Sequence, residues 1–156
     1  MNNLRRTLLR AAGACCVYGL TAAVSLLKPL RAWAFEWNQT GFEARAMTDA
    51  LKSIGATTSL ESQEVLIKAP EIAENGAIVP IEVVSRIPNT RFIAILAEKN
   101  PFPLIGTFEF DHGAEGFVST RVKLGQTSLV KVIVKADDKI FSATQEVKVT
   151  IGGCGA

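Results

Sequence analysis

One cysteine near the C-terminus stands where its residue type and its neighbours invite covalent chemistry. It lies in the run Thr150-Ile151-Gly152-Gly153-Cys154-Gly155-Ala156. Gly152, Gly153 and Gly155 lack a Cβ, so ordering them is entropically costly. The run predicts a flexible arm over 152–156 with a thiol near its tip. Three residues from Ile151 to Cys154 span about 10 Å when extended. Such an arm can enter a cleft in another protein while its own domain stays outside. A catalytic thiol needs a nearby cation, helix N-terminus or histidine to lower its pKa. Cys154 has glycines and, two residues on, the terminal carboxylate, and negative charge disfavours the thiolate. The arm is badly built to catalyse and well built to be acted upon, as a tethered sulfur that enzymes load and unload.

No other constellation competes with it. His112 is the only histidine and sits in the turn signal Asp111-His112-Gly113. A metal site needs several ligands, and neither His112 nor Cys154 has a set beside it. Glu109 and Asp111 alternate along a strand-like segment, which is the pattern of a solvated face. Asp137-Asp138 reads as hairpin chemistry. The sequence therefore offers no catalytic set, no cofactor site and no metal site.

The elements that position the arm begin after a leader. Arg5 and Arg6 precede an uncharged run over 11–27, and Lys28 to Arg31 lead into Ala32-Trp33-Ala34. The order of charge, apolar run and small-x-small site predicts a signal peptide over 1–34, cleaved between Ala34 and Phe35. Paired arginines before a mild Ala/Gly-rich run suggest the twin-arginine route, hence the periplasm. The run is shorter than the roughly 20 apolar residues a membrane span wants, so no membrane anchor is expected after cleavage. Cys15 and Cys16 go with the leader, leaving Cys154 without an internal disulfide partner. A leftover thiol in an oxidising compartment points to a reactive group or an intermolecular bond.

The leader also holds the basicity. From residue 35 on, twelve Lys and Arg stand against fifteen Asp and Glu, a formal balance of −3. No basic face is offered to nucleic acid. The length suits one domain with one core.

Thr40-Gly41-Phe42-Glu43 has the form of a capping box, and Met47, Ala50, Leu51 and Ile54 follow at helical spacing. A helix over about 40–55 is expected, with Gly55 just past its end. The period then changes to two. Strands are expected at Val65–Ile67, Ala77–Arg86, Arg91–Glu98, Ile105–Phe110, Phe117–Leu124, Leu129–Lys135 and through Val147–Ile151. Pro80 suggests an edge or bulge, Asn75-Gly76 a turn, and Glu71–Gly76 a loop. Seven short strands with frequent turn signals indicate an all-β, immunoglobulin-like antiparallel β-sandwich over 35–151. The apolar runs Val79–Val84 and Phe92–Leu96 are candidates for a face that meets a partner chain.

The ending Val147-Lys-Val-Thr-Ile-Gly-Gly-Cys-Gly155, closing an exported β-domain, resembles the SoxY family of the periplasmic thiosulfate-oxidising system. So do Ala69–Pro80, Glu98-Lys-Asn-Pro-Phe-Pro103 and Ser119-Thr-Arg-Val-Lys-Leu124. The resemblance covers essentially the whole chain after the leader. It implies a heterodimer with SoxZ and a sulfur cargo held covalently on Cys154. It further implies that a cytochrome c-type enzyme, SoxAX, joins thiosulfate to the thiol. SoxB then releases sulfate, and a sulfane dehydrogenase, where present, oxidises the remaining sulfur. Gly152, Gly153 and Gly155 correspond to the arm. The family tail usually ends Gly-Gly-Cys-Gly-Gly, whereas this chain has Ala156 in the last place.

Two other classes compete with a carrier. One is a structural or adhesion-type sandwich whose cysteine makes only an intermolecular disulfide. The other is a thiol enzyme, which lacks a base near Cys154 in sequence.

Overall fold

The structure is a computed structural model, and it describes residues 37–111 and 113–151. Two short helices come first, α1 (Gln39–Glu43) and α2 (Met47–Ser53). Among the described residues nine strands follow: β1 (Leu60–Glu61), β2 (Val65–Lys68), β3 (Ile72–Asn75), β4 (Val79–Ser85), β5 (Thr90–Ala97), β6 (Leu104–Glu109), β7 (Phe117–Val122), β8 (Ser128–Ala136) and β9 (Lys139–Ile151). They form a larger sheet in the order β1-β9-β8-β5-β6, with β3 also on β9, and a smaller sheet in the order β2-β4-β7. No helix among the described residues is long and apolar enough to cross a membrane.

The immunoglobulin-like sandwich expected from the sequence is present. Its core takes Val65 from β2, Val79, Ile81 and Val83 from β4, and Val118 and Val122 from β7. Facing them are Ile93 and Ile95 from β5 and Val130, Val132 and Val134 from β8. Alternation supplies these residues, since every second side chain of a strand points the same way. β7 shows it plainly, with Val118 and Val122 buried and Phe117, Ser119 and Arg121 exposed.

β5 departs from alternation. Ile93, Ala94, Ile95, Leu96 and Ala97 are all fully buried. Ile93, Ile95 and Ala97 face the small sheet. Ala94 and Leu96 face the other way, into a second cluster with Ala50, Ile54, Ala56, Leu104 and Ile133. The molecule is thus three layers deep at this strand, with helices, large sheet and small sheet in turn. Full burial of such a Leu or Ile is worth about 1.5–3 kcal/mol.

This layering corrects one expectation. Val79, Ile81 and Val83, and the run from Ile93 to Leu96, are interior residues at zero exposure. They are not faces left for a partner, whereas Val84 and Phe92, the other apolar members of those runs, are partly exposed. The continuous apolar run of β5 marks a strand covered on both sides by the chain's own elements, while β4 turns only the face of Val79, Ile81 and Val83 inward.

The single helix expected over 40–55 is two helices. The N-cap of α1 is Asn38, whose Oδ1 accepts from Gly41 N at 3.0 Å, so Thr40 lies inside the helix. Ala44 is extended (φ −61°, ψ 134°) and ends α1. Asn38 Nδ2 donates to Ser53 O at 3.2 Å, tying the start of α1 to the end of α2. Gly41 is buried at the crossing, where an added Cβ would run into Ser53 Oγ and come within 2.8 Å of Asn38 Nδ2. Close packing of two short helices wins over one continuous helix. The expected stop holds: Gly55 takes φ +65°, Gly55 N donates to Lys52 O, and Ala56 N donates to Leu51 O. That is the paired bonding of a Schellman end.

Two further points refine the strands. Pro80 pairs with Arg121 on β7, but β2 reaches only as far as Glu82. Pro80 therefore stands where β4 has a neighbour on one side only, which suits a residue without an N–H. The Asp137-Asp138 hairpin joins Ala136 to Lys139, with Asp137 at φ +50°.

Candidate functional site

The residues named from the sequence as the site, Gly152, Gly153, Cys154 and Gly155, lie outside the described residues. So do Arg5, Arg6, Ala34, Phe35 and His112. The structure describes the root, the end of β9 at Ile151, which directly precedes the cysteine-bearing run in the chain.

β9 is the strand that leads there, and β8 pairs with it from Ala136↔Lys139 to Ser128↔Val147. β9 then runs on for four residues without β8. Those residues pair with β3 instead, in parallel, as Ile72↔Lys148, Ala73↔Val149 and Asn75↔Ile151. Lys148 N donates to Glu71 O at 2.9 Å on the β3 side. Val149 N donates to Thr127 Oγ1 at 3.0 Å on the opposite edge, just ahead of β8. Thr150 Oγ1 donates to Glu74 O at 2.9 Å. Asn75 Oδ1 accepts from Ala77 N at 2.8 Å, turning the chain from β3 toward β4.

The segment Glu71–Gly76, expected as a loop, thus contains a strand. Ala73 alone in β3 is buried, so no apolar alternation announces it. The Asn75-Gly76 turn signal was legible; the strand before it exists through backbone pairing. The sheet is also mixed at this edge, because β1 and β3 both meet β9 in parallel. Thr127, Thr150 and Glu74 are the residues of the root that sequence reasoning missed.

The surroundings of the root are loops pinned by side chains. Asn100 Nδ2 donates to Lys123 O at 2.8 Å, and Asn100 Oδ1 accepts from Gly125 N at 3.1 Å. Lys99 N donates to Ser128 Oγ at 3.0 Å. These bonds join the β5–β6 and β7–β8 connections where β9 emerges. A cleft of about 460 Å³, lined by Arg86, Asn89, Thr90, Glu115 and Phe117 among others, sits at the other end of the strands. β5 alone separates the two ends by about 25 Å at 3.3 Å per residue.

Glu109, Asp137 and Asp138 have these places in the fold. Glu109 is the exposed last residue of β6. Asp137 and Asp138 make the hairpin turn. No group of three or more His, Cys, Asp or Glu among the described residues could hold a metal ion.

The family model described as "Sulfur oxidation protein SoxY" matches residues 51–154, from inside α2 to the cysteine. The chain belongs to the SoxY family. A solved structure, that of the sulfur carrier protein SoxY from Chlorobium limicola f thiosulfatophilum, is 38% identical to it. The match covers 66% of this chain and 94% of that one, with a TM-score of 0.60. A structure from work on T cell specificity and activation by the bacterial superantigen toxic shock syndrome toxin-1 is 13% identical. It covers 55% of this chain and 98% of its own, with a TM-score of 0.38, too slight a likeness to bear on the fold. No curated protein sequence matches the chain. The family match takes in the whole sandwich and stops at Cys154.

Proposed function

We propose that this protein is a non-enzymatic sulfur carrier whose cargo is bound covalently to Cys154. The observation that carries the reading is the family match running through residue 154, together with the placement of Gly152-Gly153-Cys154 directly after the end of β9 at Ile151. The carrier role of the Chlorobium relative supports it. In the loading step the Cys154 thiol and thiosulfate form a sulfur–sulfur bond. The thiol proton is released and two electrons pass to a haem-type oxidant, SoxAX. Water then cleaves the terminal sulfonate as sulfate, with SoxB as catalyst, and leaves a persulfide on Cys154. A sulfane dehydrogenase, where present, oxidises that sulfur further. The domain's part is to hold the root of the arm while the partner enzymes do the chemistry.

The same reading makes SoxZ the heterodimer partner and the periplasm the compartment, reached by the twin-arginine leader. Intact mass is the test. The purified protein, with SoxZ, SoxAX and thiosulfate, is expected to gain an adduct that maps to Cys154 and that reductant removes. A thiol left unmodified under turnover overturns the carrier reading. A disulfide dimer as the sole modification favours the structural sandwich.

A further inference from the structure

We infer that β3 is a releasable clasp that sets the length of the arm. Closed, it holds β9 as far as Ile151; open, it leaves β9 held only as far as Val147.

The register gives two successive holds on β9. The first is the β8 ladder, nine pairs from Lys139 to Val147, backed by the buried Val147. The second begins at Lys148, beyond the last β8 pair, and is a different kind of contact. β3 has four residues, of which Ile72, Glu74 and Asn75 are exposed and only Ala73 is buried. Its far edge pairs with no other strand among the described residues. The side-chain bonds that close the hold, Thr150 Oγ1 to Glu74 O and Val149 N to Thr127 Oγ1, are both exposed. The apolar anchorage of this hold is slight, Ala73 in the main core and the half-buried Val149 packed against it, and few buried apolar contacts with exposed hydrogen bonds mark a segment that opens below the global unfolding free energy. The β8–β9 ladder has neither mark.

The geometry gives opening a consequence. With the clasp closed, Cys154 follows the last held residue by three positions, a chain length of about 10 Å at most. With Lys148 to Ile151 released, it lies seven residues past Val147, a reach of about 23 Å. One tether could then serve a shallow site and a deep one. Thr127 and Thr150 are positioning residues in this scheme, acting through β9. The purpose given to the clasp rests on the carrier reading; the clasp itself is a property of the backbone.

Amide-resolved hydrogen exchange on the purified protein tests it without reference to the cargo. The amides of Lys148 and Val149, both hydrogen-bonded, are expected to exchange at least about tenfold faster than the ladder amides of β8. Thr150→Val and Thr127→Val should each speed them about fivefold further and leave β8 unchanged. Equal protection across 140–149, or a uniform rise across both strands, overturns the clasp. A second measurement places spin labels on Cys154 and on Ser119→Cys. Two distance populations are expected, the longer one enlarged by Thr150→Val, and a single population indifferent to that change overturns it as well. If the carrier reading fails, the mass adduct is missing while these readouts stand; if the clasp fails, the adduct is unaffected.

Discussion

Val147 faces Ser128 across the last rung between β8 and β9. Ser128 is itself buried, and its Oγ accepts from Lys99 N, so this rung is tied into the β5–β6 connection as well. The strongly held part of the C-terminal strand therefore ends at a defined residue, seven positions before the thiol.

Cys154→Ser should abolish sulfur loading and leave the fold untouched. The residue follows the end of β9 at Ile151 in the chain, and the expected change in stability is that of an ordinary surface substitution, less than about 0.5 kcal/mol. Intact mass reads the first effect and a denaturant melt the second. A large loss of stability would mean that the thiol packs on the domain.

Gly41→Ala should destabilise the domain by about 1–3 kcal/mol, the usual cost of overpacking. The added Cβ meets Asn38 and Ser53 on one side and Leu104 Cδ2 at 3.0 Å on the other. Urea unfolding measures it. A neutral result would show that α1 shifts freely over β6.

Ile95→Ala and Leu96→Ala should each cost about 2–5 kcal/mol, through different layers. Leu96 belongs to the helix-side cluster, which includes Phe42. Trp37 stacks on Phe42 with ring centroids 4.3 Å apart. From residue 35 on, Trp37 is the only tryptophan. Its fluorescence in the folded state should change in Leu96→Ala and not in Ile95→Ala. A change in both would mean that the two cores relax together.

Asn100→Ala should cost about 0.5–1.5 kcal/mol, because it removes an exposed bond to the Lys123 carbonyl and a half-buried one from the Gly125 amide. Thermal melting tests this, and an unchanged midpoint would mean that water replaces the side chain.

Lys68 and Glu82 face each other across β2 and β4 at 3.6 Å, with side chains 65% and 43% exposed. A double-mutant cycle should return a coupling below about 1 kcal/mol, reduced further by salt. A larger, salt-insensitive value would contradict solvent screening at this pair.

Much of this architecture was legible in the residues. The alternation of Val118, Thr120 and Val122 gave β7 its inward face, and Gly55 and Asn75-Gly76 marked real turns. Three things were not legible, each for a physical reason. β3 is held by backbone bonds to β9 and buries one small side chain, so its sequence carries no period. The break at Ala44 arises from Gly41 packing against Ser53, a contact made only once both helices exist. The run from Ile93 to Leu96 reads as a strand covered on both faces, but its pattern does not say whether the second cover is a helix of the same chain or another protein. For the site, residue types pointed to Cys154 and its glycines, while the threonines at the root belong to a register that only the assembled sheet reveals.

The place of β9 in the sheet has a consequence for biogenesis. It is the last strand in chain order, yet it lies between β8 and the early strands β1 and β3, with Leu60 opposite Phe141. A nascent chain cannot close the large sheet until Lys139–Ile151 has been made, and such distant pairings are slow to form. A product interrupted within β9 lacks the ladder to β8 and the seat for both early strands, and it remains a target for proteolysis. Any molecule that passes as folded has therefore been translated to the threshold of the cysteine, so quality control over the sandwich doubles as quality control over the segment leading to the thiol.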